Sequence, residues 1–168
     1  MKLFISAMSK AFAGFLIFCL LLFLPAGTWD YSNGWLLVAI LFIPMAIAGA
    51  VMPVRSPDLL KKRLGSKEKE GEQKIVVALS GLMFIVAFVL AGLDFRYGWS
   101  VMPVWTVRCA AVLFLAAYLM YAEVLRENAY LSRTIEVQEG QKVIDTGLYA
   151  IVRHPMYSAT ILMFLSMP

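Results

Sequence analysis

Gly34–Val54 reads GWLLVAILFIPMAIAGAVMPV, twenty-one consecutive residues without a charge. At 1.5 Å per residue this run makes a helix of about 32 Å, long enough to cross a hydrocarbon layer of about 30 Å. Pro44 sits near its middle. A proline there kinks a lipid-embedded helix and frees a carbonyl that neighbours must re-satisfy. The composition fits the same reading. Of 168 residues, 61% are hydrophobic and 15% charged, whereas a soluble domain carries about 25% charged residues.

Working outward, the run upstream, Ile5 to Ala26, has Lys10 as its only interior charge. A cleaved signal peptide is the competing reading, but its apolar region would be about 7–15 residues followed by a small-residue cleavage site. This run is longer and meets Pro25-Ala-Gly-Thr-Trp instead, so a first membrane span is expected. Gly27 to Asn33 then forms a short turn, which makes the first two spans an antiparallel hairpin.

Downstream the composition inverts. Arg55, Lys61, Lys62, Arg63, Lys67, Lys69 and Lys74 interleave with Asp58, Glu68, Glu70 and Glu72. Ser56 and Pro57 have the pattern of an N-cap and a first helical residue. Leu59, Leu60 and Leu64 would let a short helix lie on a membrane surface, but a solvated loop with an orienting charge excess is the simpler account of the charges. A third span is expected from Ile75 to Leu93, a turn from Asp94 to Ser100, and a fourth span from Pro103 to Val124. Arg108 lies near the start of the fourth span, where it can snorkel outward. A fifth apolar block, residues 158–168, has eleven residues, too few to span. It is expected to be the start of a fifth span in a longer chain.

The expected fold class is therefore an all-α integral membrane bundle: one membrane domain over 1–168, with spans near 5–26, 34–54, 75–93 and 103–124 and a partial span at 158–168. Orientation follows from the basic residues. Loops 55–74 and 125–157 hold most of them, including Arg126, Arg133, Lys142 and Arg153, whereas the turn after the first span holds none and the turn after the third holds only Arg96. This places the N-terminus and both basic loops in the cytoplasm and makes the chain a multi-pass protein of a bacterial or archaeal plasma membrane. Trp29, Trp35, Trp99 and Trp105 all fall at the outer ends, as an aromatic belt.

The net charge of +4 does not point to nucleic acid, because the basic residues flank apolar blocks instead of forming a patch on a soluble domain. Cys19 and Cys109 lie inside apolar blocks and read as small buried hydrophobes. With one histidine, they make no metal site.

Chemistry concentrates in Gln141–Tyr157, QKVIDTGLYAIVRHPMY, the polar interruption between the fourth and fifth blocks. Lys142-Val143-Ile144 is short and β-prone. Asp145-Thr146-Gly147 is a turn in which Gly147 can take positive φ. Arg153-His154-Pro155 precedes a helix, with Pro155 suited to its first turn. A helix N-terminus offers amide N–H groups to an anion, and Tyr149 and Tyr157 offer aromatic faces to a cation. A ligand with a carboxylate, a purine and a cation would suit such a place. An interfacial turn with anchoring tyrosines and a snorkelling arginine accounts for the same residues.

Val143–Tyr149 followed by Arg153-His154-Pro155-Met156-Tyr157 resembles the signature of integral membrane methyltransferases, the isoprenylcysteine carboxyl methyltransferase and phospholipid methyltransferase group. The resemblance extends upstream through Ser132–Ile144 to Arg126-Glu-Asn. Over the first hundred residues only hydropathy matches. It implies S-adenosylmethionine as cofactor and methyl transfer to a lipid-like or prenylated acceptor at the cytoplasmic side. Gln141, Lys142, Val143 and Ile144 would line the cofactor, Tyr149 would pack against it, and His154, Pro155, Met156 and Tyr157 would close around its amino-acid end. Glu136 aligns with a polar cofactor contact. Leu148 and Ala159 depart from the family's usual Pro and Gly, and its downstream Arg and Glu residues would lie beyond Pro168. Sterol and steroid reductases carry a related Arg-His-Pro core but usually have Asn before the tyrosine, where this chain has Met156. A nicotinamide-dependent membrane reductase and a non-catalytic membrane scaffold are the alternative readings.

Overall fold

The computed structural model describes residues 2–55, 57, 60, 71–128 and 144–167. Among them every regular element is helical: α1 (Lys2–Ala26), α2 (Ser32–Arg55), α3 (Gly71–Tyr97), α4 (Val104–Glu127), a one-turn 3-10 helix (Gly147–Ala150) and α5 (Pro155–Leu165). Helices α1 to α4 are each long and apolar enough to cross a membrane, and α5 is a shorter apolar helix. The chain is an all-α membrane bundle, as its apolar runs require. Of the basic loop, Pro57 and Leu60 are described; both are helical and Leu60 is buried.

α1 is the central helix. It packs on α2 and on α3, α2 packs on α4, and α4 packs on α5. The core joins Phe18, Cys19, Leu22 and Phe23 of α1 to Leu37 and Val38 of α2, with Phe42 and Phe88 against its edge. Phe18 meets Phe42 and Phe88 at ring separations of 5.6 and 4.5 Å. The outward faces carry large apolar side chains such as Ile43, Leu82, Leu90 and Leu119. In lipid these faces need no cover, which is why each helix is apolar all round.

α1 and α3 meet at a glycine. A Cβ on Gly92 would strike the Leu22 carbonyl oxygen and lie 3.1 Å from the Ala26 amide nitrogen. Such closeness lets two backbones touch where lipid gives no hydrophobic drive for association. Gly14 and Gly81, by contrast, have open space around them. On α2, Pro44 removes the amide that would serve the Ile40 carbonyl. In the loosened turn the Tyr118 hydroxyl of α4 donates to the Leu41 carbonyl at 3.3 Å.

The tryptophan-bearing ends lie together. Trp35 Nε1 donates to the Trp29 carbonyl at 2.8 Å, and both rings lie near Phe23. Asp94 closes the turn after α3 by accepting from the Ser100 amide (2.8 Å) and hydroxyl (2.7 Å). Arg108 is exposed near the start of α4.

Candidate functional site

The site is built on the end of α4. Arg126 forks onto Glu123, with Nε and Nη2 donating at 2.9 and 2.6 Å, and Nη2 also donates to Glu127 Oε1 at 3.0 Å. Arg126 is 70% exposed at its side chain, so solvent screens the pairs and they add little to stability. Their effect is orientational. The other Glu127 oxygen, Oε2, accepts from the Thr146 hydroxyl at 2.7 Å. The next residue, Asn128, caps α4 with its amide on the Val124 carbonyl and donates from Nδ2 to the Tyr149 hydroxyl at 2.9 Å. Adjacent residues thus hold both sides of the 3-10 turn.

Gly147 opens that turn at φ +57. An added Cβ would lie 3.1 Å from Glu127 Cγ and Cδ. Glycine is needed on both counts, positive φ and close approach. The Tyr149 amide then donates to the Thr146 carbonyl, and those of Ile151 and Val152 to the Leu148 carbonyl.

Arg153 and His154 follow, both exposed. His154 (φ −130, ψ 64) precedes Pro155 at the first position of α5. Its carbonyl accepts from the Tyr157 and Ser158 amides at 3.1 and 3.2 Å. The His154 and Tyr157 rings stand 5.6 Å apart, tilted by 37°. Pro155 and Ala159 are buried, as are Phe114, Ala117 and Val124 of α4. α5 packs along α4. Small side chains at Ala117 and Ala159 permit the close packing usual between lipid-embedded helices.

Ser166, just past α5, shares a small cleft with Ala111 of α4 and Leu36 of α2, so α5 runs back along α4 toward its start.

Ile144, Tyr149, His154, Pro155, Met156 and Tyr157 are among the described residues; Glu136, Gln141, Lys142 and Val143 lie outside them. His154 and Tyr157 come together on an open face. Ile144, Tyr149 and Met156 are half-buried, with the Tyr149 hydroxyl already engaged by Asn128. Pro155 is fully buried and serves by fixing the turn. The tie from Glu127 to Thr146 carries no local sequence signal, because it joins residues nineteen apart.

A second feature opens beside this end. A groove of about 700 Å³ runs between α2 and α4, lined by Pro44, Ile47 and Val51 on one side and Leu115 and Leu119 on the other, with Arg55 and Arg126 at its mouth. The six described signature residues do not line it.

No family model, no curated protein and no solved structure matches the chain.

Proposed function

We propose that the chain is an S-adenosylmethionine-dependent membrane methyltransferase acting on a lipid-like or prenylated acceptor at the cytoplasmic face. The observation that carries this reading is the clamped turn from Thr146 to Tyr157, which sets the His154 and Tyr157 rings side by side at the head of α5. The residues fit the donor. The Met156 amide at the start of α5 suits its carboxylate, and the exposed Tyr157 ring suits its sulfonium. Residues 141–143 would supply the adenosyl side, following the signature.

When bound, the donor supplies an activated methyl group. The protein's task is alignment, with donor carbon and acceptor atom held about 3–3.5 Å apart and in line. A carboxylate acceptor is already anionic at neutral pH and needs no general base, so His154 acts as a positioning group.

Titration calorimetry of the purified full chain tests the reading. S-adenosylmethionine is expected to bind, His154→Ala and Tyr157→Ala to weaken binding, and NADPH to give no heat. Absence of donor binding, or saturable NADPH binding, overturns it.

A further inference from the structure

We infer that the groove between α2 and α4 is a binding site for one anionic glycerophospholipid, its phosphate on Arg55 and one acyl chain laid between the helices. Length argues for it. From Arg55 to Pro44 on α2, and from Arg126 to Leu115 on α4, the walls each run about 16 Å. Half of a hydrocarbon core of about 30 Å is 15 Å. The groove therefore matches one leaflet, beginning at the level of the charged helix ends and closing at the Pro44 turn, where Tyr118 bridges to Leu41.

Charge argues for the head group. The charged residues lining the groove are Arg55 and Arg126, both basic and both at its mouth. Arg126 is already shared by Glu123 and Glu127. Arg55 is exposed and has no ion pair among the described residues. The unmatched charge at the rim is thus cationic and complements a phosphate. Below it, Ile47, Ala48, Val51, Leu115 and Leu119 present an apolar channel, and no charged side chain besides the two arginines lines it. A zwitterionic lipid would fill the same channel but would place its own cation beside Arg55. This inference does not rest on the methyltransferase reading, and its test needs no methyl donor.

The test is native mass spectrometry of the full chain taken from nanodiscs of equal phosphatidylglycerol and phosphatidylcholine with matched acyl chains. One retained phosphatidylglycerol per chain is expected, with a preference of roughly fivefold, the effect of one interfacial arginine. Arg55→Gln should bring the two lipids to parity, and Arg126→Gln should have the smaller effect. Ala48→Phe with Ala122→Phe fills the groove while leaving every charge in place, and should abolish retention with helical content unchanged by circular dichroism. Equal retention of both lipids by the unaltered chain overturns the proposal. So does a preference that survives groove filling, which would assign it to the basic loop, and so does a lipid-free dimer, which would make a second copy the occupant.

Discussion

The Thr146 hydroxyl donates to Glu127 Oε2 at 2.7 Å, joining the turn of the signature to the last residue of α4. The Arg126 guanidinium holds the other oxygen of the same carboxylate. The turn therefore depends on a carboxylate oriented from two sides.

Removing either end of this tie should loosen the turn and leave the spans intact. Thr146→Val and Glu127→Gln are each expected to cost about 0.5–1.5 kcal/mol of local stability, the range for one hydrogen bond. Hydrogen exchange over residues 144–152 should quicken, while circular dichroism of the bundle stays unchanged. The double variant should cost little more than either single one.

Gly147→Ala should be worse than loss of the tie. It forces a side chain into φ +57 and against Glu127. A penalty of about 1–2 kcal/mol is expected from the backbone alone. Glu127→Ala relieves the crowding but not the φ strain, so it should rescue only part of the loss in thermal unfolding. Gly147→Asn, which tolerates this conformation better, should be milder.

Gly92→Ala should separate α1 from α3. The new methyl meets the Leu22 carbonyl, which belongs to a helix backbone and cannot swing aside. Destabilisation of about 1–3 kcal/mol is expected, the usual range for overpacking. Gly81→Ala, with open space around it, should be neutral or slightly stabilising through helix propensity. The pair, compared by unfolding in detergent, separates packing from propensity.

Tyr31 provides a pH-dependent readout. Its ring stacks on Phe95 at 4.0 Å, and burial, then the Asp94 carboxylate, raises its phenol above the ordinary value. A raised folded-state value favours the protonated form. The stability it contributes is present below the unfolded value of about 10 and is lost as pH climbs through the folded one. Tyr31→Phe should remove a late step from the tyrosinate absorbance titration and flatten the decline in stability at alkaline pH.

Much of this was legible in the residues. Uncharged runs long enough to cross a bilayer became helices because every backbone group must be paired inside lipid. Most boundaries moved outward by about a turn: α3 runs on to Tyr97 and α4 to Glu127, since polar residues continue a helix into the interface. The fifth helix starts at Pro155, as the Arg153-His154-Pro155 pattern predicts, because proline fits a first helical position. The positive φ of Gly147 followed from its turn. Packing was less legible. The close approach at Gly92 carries no signal in the residues around it, since only the pairing of α1 with α3 places the Leu22 carbonyl against it. The clamp at Glu127 and Asn128 was hidden for the same reason, since it depends on how the chain returns to α4.

The central place of α1 has a consequence for biosynthesis. Its two neighbours, α2 and α3, are the next helices to leave the ribosome, so the first ninety-seven residues can assemble before α4 is made. The pair α4–α5, with its clamped turn, then docks onto a finished platform. Stalling translation after Tyr97 should thus yield an inserted, protease-resistant three-helix unit.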